Sequence, residues 1–114
     1  PNFVEMYPNR EQNYCCSAGG GVINCGPPHK MTRVLGNKIK AEQLKATGAE
    51  VLIAPCHNCH AQVHDLAEVN DHAWETVHLW TLLCLSLGIL GPNEREYLGD
   101  DLKEVDVFHP ESAM

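Results

Sequence analysis

Apolar residues come in short runs parted by polar turns, and their period changes along the chain. Met31, Val34, Leu35, Ile39 and Leu44 recur at roughly helical spacing, with Lys38, Lys40, Glu42 and Lys45 on the wet face. This predicts one helix over residues 29–47, introduced by Gly26-Pro27-Pro28 and closed by Gly48. Gly36 falls in its middle, where it weakens the helix and marks close packing. Ala49-Glu50-Val51-Leu52-Ile53-Ala54 is short, apolar and β-branched, which predicts a buried parallel strand ended by Pro55. A second helix is expected over residues 58–69, capped by Asn58, with Cys59, Val63, Leu66 and Ala67 facing inward. Thr76-Val77-His78-Leu79-Trp80 predicts another strand, and Thr81 the cap of a third helix over residues 82–87. Weaker patterns predict a short strand at residues 2–6 and an edge strand at Val105-Asp106-Val107-Phe108, in an acidic tail.

The order helix, strand, helix, strand, helix is an α/β pattern: a small, mostly parallel sheet flanked by helices, with Rossmann-like layering. Such sheets gather ligands at the carboxyl ends of their strands. Cys56 lies just past one such end, and Cys59 falls in the first turn of the next helix.

Length and charge narrow the function. The 114 residues suffice for one domain, and 44% hydrophobic with 20% charged residues is the make-up of a folded chain. A net charge of −7 excludes the basic footprint that nucleic acids or anionic membranes require. The longest apolar run, residues 79–90, is interrupted by Thr81, Ser86 and Gly88 and falls short of the roughly 20 residues of a membrane span. It is expected to be a buried segment. No signal-peptide pattern is present in the chain, so a cytoplasmic location is expected. The chain opens at Pro1 without a methionine and is read as a single domain, residues 1–114, cut from a longer protein.

The chemistry lies in the cysteines. Four of the six fall in two clusters, Tyr14-Cys15-Cys16-Ser17-Ala18-Gly19-Gly20-Gly21 and Pro55-Cys56-His57-Asn58-Cys59-His60. A C-x-x-C at a loop-to-helix junction turns two sulfurs the same way, and the helix amides stabilise thiolates there. Adjacent cysteines serve a single tetrahedral ion poorly because their side chains diverge, but they suit a polynuclear centre. Glycines after the pair let backbone N–H groups approach sulfur. Cys15, Cys16, Cys56 and Cys59 are therefore the candidate ligands of a metal centre, most naturally iron–sulfur. Cys25 reads equally as a further ligand or a small buried residue. His57 and His60, in a helical stripe with His64, are candidates beside the centre, read as a solvated helix face with one imidazole hydrogen-bonding to it. Cys84, among leucines, reads as core, and Trp74 and Trp80 as core or interface. Three other readings remain open. A structural zinc ion could be held by Cys15 or Cys16 with Cys56, Cys59 and a histidine. Cys56-x-x-Cys59-His60 also satisfies the c-type haem attachment pattern, which leaves the double cysteine unused. The C-x-x-C could also form a thioredoxin-like disulfide.

The arrangement Cys15-Cys16-Ser17-x-Gly19-Gly20, then Cys56-x-x-Cys59, resembles the cysteine-rich CCG domain of the heterodisulfide reductase family, over residue 14 to about residue 87. The flanking Pro27-Pro28 and Ile53-Ala54-Pro55-Cys56-His57-Asn58-Cys59-His60 look most like iron–sulfur subunits of membrane redox complexes in sulfate-reducing microbes. The resemblance implies a non-cubane 4Fe–4S cluster or a related metal centre. It also implies electron transfer coupled to thiol/disulfide chemistry, on a heterodisulfide or a small partner protein. Partner redox subunits would then hold the chain peripherally at the inner membrane. Ser17 departs from the family's glycine, and a further family cysteine would fall before Pro1, so this segment alone would carry an incomplete site, open to zinc, a partial cluster, a disulfide or nothing.

Overall fold

The computed structural model describes residues 2–88, and its centre is a β-α-β unit. Strand β1, Val51–Ala54, pairs in parallel with β2, Glu75–His78, and helix α3, His57–Glu68, makes the crossover. The register sets Val51 opposite Glu75 and Ala54 opposite His78, so both strands end at one edge of the sheet. Parallel strands need such a crossover because a tight turn cannot join them. Among the described residues the sheet has these two strands and is accompanied by four helices, a mixed α/β arrangement. The other helices are α1, Pro27–Leu35, α2, Lys38–Lys45, and α4, Leu79–Ser86. Single 3₁₀ turns occupy Arg10–Gln12 and Val22–Asn24.

The core lies between α1, α2, α3 and the sheet. Val34, Ala41, Leu44, Ala54, Val63, Leu66, Ala67 and Trp74 form one buried cluster, with Met6, Leu52 and Cys59 packed against it. Val63, Leu66 and Ala67 are the inner face expected of α3. Full burial of a side chain such as Leu66 is worth about 1.5–3 kcal/mol. Trp74 adds apolar area while its indole N–H donates to the Val63 carbonyl at 3.1 Å. Helices α1 and α3 are further joined through buried Arg33, whose guanidinium donates to Gln62 and, at 2.7 Å, to Asp65. Gln62 returns a bond to the Arg33 carbonyl.

Several expectations are corrected. The single helix over residues 29–47 is two helices, broken at Gly36-Asn37. A Cβ at Gly36 would meet the Thr32 carbonyl oxygen at 2.4 Å, and the Asn37 side chain caps α2 by accepting from the Lys40 amide at 3.4 Å. The break rotates the face. Met31, Leu35 and Ile39 are exposed, whereas Lys40, expected on the wet side, is only 5% exposed. Residues 2–6 form no strand. Helix α3 is entered through Cys56 rather than Asn58. Helix α4 begins at Leu79, where the His78 ring nitrogen accepts from the Trp80 amide at 3.4 Å, so Thr81 is inside the helix. Leu85 is the buried residue of α4, while Leu83, Leu87 and Trp80 are exposed, so the stretch is not wholly buried. The edge strand expected at residues 105–108 lies outside the described residues.

The Gly36→Ala variant is expected to lose about 1–3 kcal/mol of stability, because the new methyl overpacks a backbone carbonyl that cannot move without disturbing the α1–α2 junction. Urea denaturation checks this, and an unchanged midpoint would contradict the steric account.

Candidate metal centre

The sheet and two loops bring the cysteine clusters together. Cys56 stands two residues past the carboxyl end of β1, in extended conformation (φ −108°, ψ 133°), as the residue that opens α3. Cys59 is one turn further on, half-buried against the core. The double cysteine arrives from a loop held by α2. Asn37 Nδ2 donates to the carbonyls of Cys15 and Cys16, each at 3.1 Å, and to Ser17 Oγ at 2.9 Å. This places Cys16 Sγ 3.0 Å from Cys59 Sγ. All six cysteines are free thiols.

Cys15 and Cys16 diverge, as adjacent side chains must. Cys16 turns in to Cys59, whereas Cys15 is exposed and its sulfur accepts from the Ser17 amide at 3.3 Å. Ser17 takes the left-handed conformation at φ 75°. Such backbone favours glycine, which accounts for the glycine preferred at the third motif position. The serine is held there by the Asn37 bond to its hydroxyl.

The two thiols of the C-x-x-C are electrostatically unlike. The amides of Cys59 and Asn58 turn toward the exposed Cys56 sulfur without closing a well-formed cap bond, and with the Cys59 thiol they hold its pKa below the usual thiol range. Burial first, then the hydrogen bond and charge of Cys16, then those of Cys56, push Cys59 up to about 12. Crowded sulfurs that must retain a proton are what a thiolate-binding metal relieves, since it supplies positive charge in place of the proton. Two thiolates on one zinc ion, at about 2.3 Å each, stand ~3.8 Å apart, so Cys16 and Cys59 could ligate with a small opening. The donor set, soft sulfur from two loops meeting at a strand end, fits zinc or an iron–sulfur centre.

The remaining candidates fall outside this contact. Cys25 donates to the Gly21 carbonyl at 3.4 Å within its own turn. Cys84 is half-buried on α4. His57 is exposed at the start of α3. The His60 ring packs against His78 at 5.8 Å between centroids, and His78 stacks on Trp80. His64, Asp65 and Glu68 gather their ligand atoms within 4.8 Å of one another, but Asp65 is paired with Arg33 and Lys30, and Glu68 with Lys30. That group is accounted for as the ionic joint between α1 and α3.

Two buried residues at the start of α2 escape a linear reading of the chain. Asn37 is buried and clamps the double-cysteine loop. Its signal was available, since glycine followed by asparagine inside a helical pattern is a stop and an N-cap. Lys40, buried where α2 meets residues 6–13, carries no such signal in its local sequence. A cleft of about 380 Å³, lined by Ser17, His29, Thr32, Arg33 and Asn37 among others, adjoins the loop. A hollow of about 280 Å³ between residues 2–13, β1 and Trp74 touches no cysteine.

Comparison with known proteins bears on the same residues. No curated protein and no solved structure matches the chain. Residues 1–64 match the CCG cysteine-rich domain family. That span covers more than half of the chain and takes in both cysteine clusters, the Asn37 clamp and the first two turns of α3. The fold, the convergent thiols and the match agree on a metal-binding or redox module: the chain belongs to the CCG cysteine-rich domain family.

Proposed function

We propose that the chain is an electron-transfer domain of a heterodisulfide-reductase-like oxidoreductase, with Cys15, Cys16, Cys56 and Cys59 as ligands of an iron–sulfur cluster. The observation that carries this reading is the 3.0 Å approach of Cys16 to Cys59, one sulfur from a loop and the other from the first turn of α3, distant in sequence and joined near a strand end. The divergence of Cys15 from Cys16 supports a polynuclear centre, where neighbouring thiolates meet different irons. A bound cluster of this kind supplies one-electron exchange beside thiol/disulfide chemistry. The protein's part is to hold the thiolates. Asn37 fixes the double-cysteine loop, the amides of Cys59 and Asn58 favour charge on Cys56, and the Ser17 amide hydrogen-bonds Cys15.

In this reading the intact protein is longer than the 114 residues and carries a non-cubane 4Fe–4S cluster. Its β-α-β unit forms part of a Rossmann-like layering, and it works in the cytoplasm, docked through other redox subunits at the inner membrane. No helix among the described residues is long and apolar enough to cross a membrane. Its electrons would serve a heterodisulfide or a small thiol/disulfide protein. The closeness of Cys16 and Cys59 also favours a second reading, in which one zinc ion joins the two loops and the domain serves as an interaction module.

Anaerobic purification of the intact protein, with analysis of iron, zinc and acid-labile sulfide and optical and EPR spectra, separates these readings. Iron and sulfide in stoichiometric amounts are expected. Colourless protein with one zinc and no sulfide would replace the first reading by the second, and a Soret band with covalent haem would refute both.

A further inference from the structure

The hollow of about 280 Å³ between residues 2–13, β1 and Trp74 lies apart from the cysteines. Its apolar wall is part of the core: Leu44 and Trp74 are buried there, and Leu52 packs against them. Its other wall carries Glu5, Arg10 and Asn13. An apolar cavity with a few fixed polar groups on one side is the usual form of a small-molecule site.

The polar wall is held in place from α2. Gln43 Nε2 donates to the Pro8 carbonyl at 2.5 Å and to Asn13 Oδ1 at 3.0 Å, and Lys40 Nζ donates to the same Asn13 oxygen at 3.0 Å. Two donors on one side fix the Asn13 oxygen toward α2 and turn its N–H₂ group away from them. That group has no partner among the described residues. The Asn13 amide donates to the Arg10 carbonyl at 3.1 Å, so a single 3₁₀ turn sets Arg10 beside Asn13. Among the described residues no carboxylate is within ion-pair distance of the Arg10 guanidinium.

The charges around this wall do not balance. Lys40 Nζ meets three neutral acceptors, Gln43 Oε1, Asn13 Oδ1 and Met6 Sδ, which use all three ammonium protons. Like Arg10, it has no carboxylate within ion-pair distance among the described residues. Against these two cations stands Glu5, whose carboxylate accepts from Asn9 Nδ2 at 2.8 Å. We propose that the hollow binds a small amphipathic carboxylate, its head taken by Arg10 and Asn13 and its apolar body laid against Leu44, Leu52 and Trp74. The ligand's charge supplies the anion that Arg10 lacks, and the polarised Asn13 amide passes it on to the buried ammonium. Planar guanidinium and amide donors suit the two oxygens of a carboxylate. The site is independent of the cysteine centre and goes beyond the electron-transfer reading.

The test titrates the intact protein with 4-methylpentanoate, with 4-methylpentan-1-ol, which keeps the body but not the charge, and with acetate, which keeps the head but not the body. Calorimetry gives the affinities, and the indole N–H resonance of Trp74 reports where the ligand sits. Saturable one-to-one binding of 4-methylpentanoate in the millimolar range is expected, with a shift of the Trp74 resonance. The alcohol should bind about fivefold more weakly, and acetate at least about tenfold more weakly. Arg10 is exposed, so Arg10→Gln should keep the fold, bind 4-methylpentanoate about fivefold more weakly and leave the alcohol unchanged. Val51→Phe, which fills the hollow from β1 and leaves Arg10 in place, should abolish binding of both compounds. No saturable binding of 4-methylpentanoate would overturn the proposal, as would equal affinity for acid and alcohol. Full affinity in Arg10→Gln, or in a folded Val51→Phe protein, would also overturn it. Metal content plays no part in these readouts, so a failure of the electron-transfer reading leaves the test intact.

Discussion

Cys59→Ser protein is expected to lose its metal while keeping its fold. Cys59 is where the two clusters meet, because Cys16 approaches it from the α2-held loop and Cys56 precedes it on the turn that opens α3. Serine is nearly isosteric, so the packing of α3 against the core survives with a stability change of about 1 kcal/mol. Its alcohol is a hard and weakly acidic donor, however, and does not replace a soft thiolate. The loss in affinity should be at least the ~100-fold that removal of an outer-shell partner costs. Iron and sulfide should fall to background in Cys59→Ser, with far-ultraviolet circular dichroism unchanged. Cys25→Ser, which alters a thiol bonded to the Gly21 carbonyl within its own turn, should retain the full complement. Full metal content in Cys59→Ser would remove that residue from the ligand set. The same cysteine imposes a pH dependence. Its thiol is held up to about 12, so metal must displace a proton from it at neutral pH. Apparent affinity therefore rises with pH across the neutral range, and chelator competition at two pH values measures the slope.

The second large effect belongs to Asn37. Asn37→Ala is expected to destabilise the protein by about 3 kcal/mol. The variant loses the cap of α2, worth ~1 kcal/mol. It also strips the donor from the Cys15 and Cys16 carbonyls and the Ser17 hydroxyl in a partly buried place, where each unmet acceptor is costly. Asn37→Asp divides the two contributions. A carboxylate still caps α2, at an end of the helix that favours negative charge, but it donates to nothing and faces the two carbonyl oxygens. The helix is then retained while the double-cysteine loop loosens. Metal content should fall in both variants, with stability lost in both and α2 helicity better preserved in Asn37→Asp. Urea unfolding, metal analysis and hydrogen exchange over residues 38–45 report these separately. An Asn37→Asp protein with wild-type metal content would mean that the clamp contributes nothing to the site.

Much of the scaffold around the site was legible because its signals are local. The β-branched run before Cys56 can hardly be anything but a short strand, although only Ala54 of it is buried and Ile53 is exposed, because the sheet described has just two strands; the spacing of Val63, Leu66 and Ala67 defines the inner face of α3. The helix before it was misjudged for a physical reason. Gly36 and Asn37 each tolerate a helix interior at a modest cost, so propensity alone lets a helix pass through them. What stops it is an asparagine better used as cap and clamp, while Gly36 lets the chain turn where a Cβ would strike the Thr32 carbonyl. Once α2 turns at that point, Met31, Leu35 and Ile39 face outward and Lys40 faces in.

Taken alone, the amino-acid order determined the α/β pattern, the strand that ends at the C-x-x-C, and the identity of the cysteine clusters, because each depends on neighbours within a few residues. Only the tertiary structure decided that Cys16 rather than Cys15 meets Cys59, that Cys25 bonds within its own turn, that Asn37 clamps the double-cysteine loop and that Lys40 is buried. Those outcomes depend on loops distant in sequence closing on the same strand end, where burial and charge act between groups that the linear chain keeps apart. The two cysteine clusters are visible in the chain itself; the Asn37 clamp that holds one of them in place exists only once the chain has folded.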